Sequence, residues 1–80
     1  MKIYETSDMG VITLLDYLDF QIQSFEEKGG GKVVFYFEDN KRIPEIVIQF
    51  WSRKIHVEPQ RFLAHLRNIK IMINQLKNGK

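Results

Sequence analysis

The sequence predicts an α+β fold, a small antiparallel sheet built around a central β-hairpin and packed by three helices, the last of them long. Three observations carry this. Glycines 29, 30 and 31 separate two strand-like runs, residues 20–25 and 33–37, as a hairpin turn would. Residues 9–18 place Val11, Ile12, Leu14, Leu15 and Leu18 at three- and four-residue spacing. Phe62, Leu66, Ile69, Ile73 and Leu76 follow i, i+4, i+7, i+11 and i+14, the seam of a helix facing a core. Residues 1–80 read as one domain.

The first expected element is a short strand at residues 2–6, followed by Ser7 and Asp8, either of which can cap a helix. Residues 9–18 form the first helix, with Asp16 opposite its apolar face. In residues 20–25, Phe20, Ile22 and Ser24 alternate with Gln21, Gln23 and Phe25, the period of two of a half-buried strand that stops at Glu26 to Lys28. The glycine triplet permits positive φ, and the next strand puts Val33, Phe35 and Phe37 on one face and Val34 and Tyr36 on the other. A phosphate-binding loop would need a Gly-Lys-Ser/Thr ending that enters a helix. Lys32 leads instead into β-branched and aromatic residues, so the triplet reads as a turn.

Asp39 or Asn40 can start the second helix, with Pro44 in its first turn. Ile43, Ile46, Val47, Phe50 and Trp51 keep helical spacing to about Ser52, and Arg53 and Lys54 fall where cations complement a helix C-terminus. Ile55-His56-Val57 reads as a minimal strand or an extended link. Glu58-Pro59 opens the third helix, which runs to about Leu76 or Lys77. With a strand at 55–57, the order allows a ferredoxin-like βαββαβ sheet plus a helix. Without it, the order gives a simple hairpin sheet under three helices. The expected core is Leu14, Leu15, Leu18, Ile22, Phe35, Phe37, Ile46, Phe50, Phe62, Leu66, Ile69 and Ile73.

A chain of 80 residues buries about 60% or a little more of its unfolded surface, too little for a second domain or a deep cleft. It has no cysteine, hence no disulfide and no thiolate for metal binding or nucleophilic attack. No window approaches a membrane span, and no signal-peptide pattern opens the sequence, so a cytoplasmic location without membrane contact is expected. The formal charge of +2 conceals an asymmetry. Residues 1–40 hold three basic and eight acidic side chains, and residues 41–80 hold nine basic and two acidic ones. Such a division suits a polyanion-binding face, or two halves that attract each other once folded.

Several segments fall into a familiar order: Thr6-Ser7-Asp8 ahead of a Leu-rich helix, the strand and acidic turn Val34-Phe35-Tyr36-Phe37-Glu38-Asp39, the pair Phe50-Trp51, and Val57-Glu58-Pro59 through Phe62, Leu66-Arg67 and Ile69-Lys70. Together they resemble a family of small bacterial and phage domains of unknown function, over nearly the whole chain. Asp19 stands where that pattern has a glycine before Phe20, and the tail from Asn74 to Lys80 runs past the usual end. The resemblance implies association with mobile elements and bacterial genomes. It brings no activity, cofactor or catalytic residue.

Enzymatic chemistry would need a nucleophile with a base, a carboxylate pair in a cleft, or clustered metal ligands. His56 and His65, nine residues apart with Glu58 nearby, are the sole two-histidine, one-carboxylate candidate, and His65 reads better as a partly buried core histidine. Glu26-Glu27 and Glu38-Asp39 lie at opposite ends of the hairpin strands. No catalytic residue, metal site or cofactor is therefore expected. A nucleic-acid-binding role, for DNA or RNA, has more support. Arg67, Lys70 and Lys77 share one stripe of the third helix, with Leu63 and Asn74 along it, and Arg53, Lys54 and Arg61 are further phosphate contacts. Asn74 or Gln60 can reach base edges. The aromatic strand 33–37 invites comparison with RNA-recognition modules, but their glycine and aromatic positions are not reproduced around Lys32 to Phe37. The alternative is a protein-interaction module: Leu63 and Ile71 lie outside the apolar seam, and Tyr36 or Phe25 falls on the second face of a thin sheet, so a homodimer would cover them.

Overall fold

A computed structural model describes residues 3–78. The elements are β1 (Ile3–Thr6), α1 (Met9–Tyr17), β2 (Ile22–Lys28), β3 (Lys32–Glu38), α2 (Arg42–Trp51) and α3 (Pro59–Asn78). Lys2, expected in the first strand, lies outside the described residues.

Local chemistry explains where the helices begin. Asp8 accepts from Val11 N at 3.0 Å to cap α1, and Thr6 Oγ1 accepts from Asp8 N. Asn40 Oδ1 accepts from Arg42 N at 2.8 Å at the start of α2, whose exposed Pro44 sits in the first turn, where no amide hydrogen is needed. At α3, both Glu58 oxygens are engaged, by Arg61 N at 2.8 Å and Gln60 N at 3.2 Å.

Two helices stop in the same way. After α1, Asp19 N donates to Asp16 O and Phe20 N to Leu15 O; after α2, Arg53 N donates to Phe50 O and Lys54 N to Gln49 O. Each pair is a Schellman motif, which requires a left-handed residue, and Asp19 (φ 71°) and Arg53 (φ 61°) take that conformation without being glycine. The glycine expected before Phe20 is thus the residue this backbone favours.

The sheet has the order β1-β3-β2, with β3 antiparallel to both neighbours. The hairpin register pairs Lys28 with Lys32 across the glycines, and Gly30 (φ 80°) and Gly31 (φ 78°) supply the turn. Residues 55–57 join no strand, so the three-stranded hairpin sheet stands and the fourth strand of a βαββαβ sheet is not formed among the described residues.

Strand β2 corrects the simple alternation. A bulge between Ile22 and Ser24 sets Ile22 against Phe37, Ser24 against Tyr36 and Phe25 against Phe35. The extra residue turns Phe25 onto the same face as Ile22, where its ring stacks on Phe35 with centroids 5.1 Å apart. Phe25 is therefore part of the packed side, not of an open second face. β2 also continues through Glu26 to Lys28, where the sequence predicts an end.

All three helices cover the face bearing Phe35 and Phe37, both fully buried. Val11, Ile12, Leu14 and Leu15 of α1, Ile43 and Ile46 of α2, Val33 of β3 and Ile69 of α3 complete the buried cluster. Leu18, Ile22, Phe50, Phe62 and Ile73 of the expected core pack around it half-buried. Leu66 is half-buried but stands outside this packing, and Ile69 is the fully buried residue of α3. Helix α1 packs chiefly against α3, and Gly10 leaves room for the Phe50 ring, whose Cζ lies 2.7 Å from where a β-carbon would sit. Trp51 corrects the expected apolar face of the second helix: it is 63% exposed. No helix among the described residues is long and apolar enough to cross a membrane.

Candidate nucleic-acid interface

Helix α3 is 20 residues long and carries four Arg or Lys side chains, Arg61, Arg67, Lys70 and Lys77, and no carboxylate. Its packed side runs through Phe62, Ile69, Met72, Ile73 and Leu76. At about 100° per residue, Arg67, Lys70 and Asn74 lie within about 60° of one another, beyond the shoulder marked by Leu66. All three are exposed. Among the described residues the ion pairs are Lys28 with Glu26 and His65 with Asp16, so Arg67 and Lys70 enter none.

The remaining cations of the expected site disperse. Lys77 belongs to the same stripe but reaches the hairpin tip. A β-carbon on Gly31 would meet Lys77 Nζ at 3.8 Å and Glu27 Oε2 at 3.9 Å, so this cation sits near a carboxylate. Arg61 is about 120° around the helix from Arg67. Its guanidinium lies over the Tyr17 ring at 4.8 Å, a cation–π contact that ties the first turn of α3 to the end of α1. Arg53 and Lys54 are exposed at the Schellman turn of α2, a separate element. Gln60, like Asn74, is exposed.

Leu63 and Ile71 are 45% and 52% exposed. They stand at i−4 and i+4 from Arg67, so the three form one continuous ridge with the cation at its centre. Any partner covering both apolar residues must also accommodate that guanidinium.

The open face of the sheet suits a polyanion poorly. Ile3, Glu5, Ser24, Glu26, Tyr36 and Glu38 lie on it by register, and its cations, Lys28 and Lys32, stand at the hairpin end with Lys28 paired to Glu26. Tyr36 is the aromatic residue of this face, and its hydroxyl donates to Glu26. That hydrogen bond, with partial loss of water, pushes the phenol above its ordinary range, while Lys28 pulls the other way. Phe35 and Phe37, the rings an RNA-recognition strand would display, are beneath the helices.

Sequence reasoning missed one polar constellation. Asp16, expected opposite the apolar face of its helix, has Oδ2 2.6 Å from His65 Nδ1, and both side chains are 27% exposed. They line an open groove of about 540 Å³ with Asp19, Gln21, Phe20 and Met72 among its other walls. Asp16 fixes Nδ1 and so orients the ring, but no serine, threonine or tyrosine lines the groove to act as a nucleophile. The pair is separated in sequence by 49 positions, and helical periodicity carries no signal for such a contact. Glu58, the carboxylate considered with His56 and His65, is occupied by the α3 amides.

A family model described as a domain of unknown function, DUF5659, matches residues 1–75. No curated protein and no solved structure matches the chain. The chain belongs to the DUF5659 family.

Proposed function

We propose that this DUF5659 member is a non-enzymatic cytoplasmic binding domain that engages DNA or RNA, in a mobile-element or regulatory context, through the open side of α3. The observation that carries the reading is the pair Arg67 and Lys70, exposed on a helix without a carboxylate and outside any ion pair among the described residues. Unpaired cations on a rigid element are ready to replace the counterions of a phosphate backbone. Asn74 beside them supplies an amide for a base edge or a phosphate. Arg53, Lys54 and Lys77 are secondary contacts, and Arg61 acts first as a support for α3 through Tyr17.

A homodimer through Leu63 and Ile71 is the competing reading. It is the weaker one, because closing that ridge on a second copy brings Arg67 toward an apolar interface without a carboxylate on the same helix to meet it. Binding of short duplex and single-stranded DNA and RNA at two salt concentrations, alongside the mass in solution, separates the two. Nucleic-acid binding weakens steeply with salt and with Arg67→Glu/Lys70→Glu. A dimer through Leu63 and Ile71 persists at high salt and dissociates on Ile71→Asp.

A further inference from the structure

Helix α2 is apolar on two sides. Ile43, Ile46 and Phe50 face the core, with Val47 half-buried beside them. Pro44, Ile48 and Trp51, at i, i+4 and i+7, form a second, exposed stripe about a third of a turn around the helix from the first. Ile48 is 65% exposed and Trp51 63%. The indole is set edge-on to Phe50, with ring centroids 5.3 Å apart and planes at 76°, and Phe50 is itself anchored against Gly10 of α1. A tryptophan held in place and left in water resembles the anchors that dominate protein interfaces.

Charge decides what suits this stripe. Lys41 continues the line of Pro44 and Ile48 at the N-terminal end, in helical conformation at φ −57°, ψ −27°. Arg53 and Lys54 bound the C-terminal end, exposed, with Glu45 the one carboxylate on the helix. A second copy is disfavoured. An antiparallel pair of α2 helices centred on Ile48 brings the Lys41 end of one chain to the Arg53–Lys54 end of the other, and a parallel pair brings each cationic end to its own counterpart, so both bring like charges together. The complement is an apolar ridge flanked by carboxylates.

We propose that the Pro44–Ile48–Trp51 stripe docks an acidic amphipathic helix of a partner protein, its apolar residues against Ile48 and Trp51 and its carboxylates toward Lys41, Arg53 and Lys54. The stripe lies on α2 and shares only Arg53 and Lys54, secondary contacts there, with the proposed nucleic-acid surface; it does not depend on nucleic-acid binding by α3.

Trp51 is the single tryptophan of the chain, so its emission reports occupancy directly. The intact protein is titrated with two synthetic helical peptides of about fifteen residues. Both carry the same leucine stripe, one flanked by glutamates and one by lysines. Vesicles of phosphatidylglycerol and phosphatidylcholine form a third arm, and the mass in solution is measured at the same protein concentration. The glutamate peptide is expected to shift Trp51 emission to the blue and saturate, binding about tenfold or more tighter than the lysine peptide. Ile48→Glu should abolish this binding, and Arg53→Glu/Lys54→Glu should remove the preference for the glutamate peptide, with circular-dichroism melts confirming that both variants fold. Equal binding of the two peptides would reduce the stripe to unspecific stickiness. A blue shift with vesicles alone would assign it to a membrane surface, a dimer mass lost in Ile48→Glu would assign it to self-association, and no shift with any probe would leave it unliganded. Each of these results overturns the proposal.

Discussion

Asp16 and His65 meet at 2.6 Å between Oδ2 and Nδ1, joining the last turn of α1 to the second turn of α3. Tyr17 surrounds the same junction: its ring lies edge-on to His65 at 5.7 Å, tilted against Phe62 at 6.1 Å and beneath the Arg61 guanidinium, while its hydroxyl accepts from Glu58 N at 3.0 Å. The start of the proposed binding helix is therefore fixed by polar contacts to α1 as much as by apolar packing.

Removing one partner of this pair strands the other in a partly buried place. Asp16→Ala is expected to cost about 1–3 kcal/mol in urea unfolding. His65→Ala made in the same background should add less than its own single effect, because both changes break one interaction. Fully additive losses would mean that the two side chains act independently.

The left-handed residues at the two Schellman turns predict a gain. Asp19→Gly and Arg53→Gly relieve a conformation that disfavours a β-carbon, and each should raise stability by up to about 1 kcal/mol, read as a higher urea midpoint with unchanged slope. A loss at Arg53 would show that its side chain contributes more to the folded chain than its backbone costs.

Within α3 the burial pattern separates two residues that periodicity places in one seam. Ile69→Ala should cost about 2–5 kcal/mol, since the side chain is fully enclosed. Leu66→Ala should cost less than half as much, because Leu66 stands on the shoulder, where part of its side chain already faces water. Thermal melts of the two variants test this directly. Equal losses would place Leu66 in the seam after all.

What the sequence makes legible here is local. Asp8, Asn40 and Glu58 mark helix starts because caps act within a turn of the residues they satisfy, and the glycine triplet marks the hairpin because a turn needs few residues. The bulge in β2 leaves only a faint mark, the break in alternation where Ser24 takes the apolar position and Phe25 the polar one; a period of two carried through it puts Phe25 on the open face, and the one inserted residue returns it to the core. Helix α2 is obscure for a different reason. Its apolar residues fill a broad arc of more than half the helix, opposite Arg42, Glu45 and Gln49, so periodicity cannot say which part of that arc faces inward, and it groups Trp51 with Phe50 although the two differ in burial. Of the candidate site, the α3 stripe is legible from spacing alone. The dispersal of Arg61, Lys77 and the Arg53–Lys54 pair depends on how α1, α2 and the hairpin tip are arranged around α3, which spacing within one helix does not encode.

The central claim is that phosphate is met by Arg67 and Lys70, and the most direct test is the salt dependence of binding to one short DNA duplex by the wild type, Arg67→Ala/Lys70→Ala and Arg53→Ala/Lys54→Ala. Each neutralised phosphate releases counterions, so the slope of log affinity against log salt should fall in magnitude by about two in the α3 variant, at about 0.9 for each cation removed from the backbone. The α2 variant should change it less. Absence of binding by the wild type at low salt, or a slope that Arg67→Ala/Lys70→Ala leaves unchanged, would contradict the account.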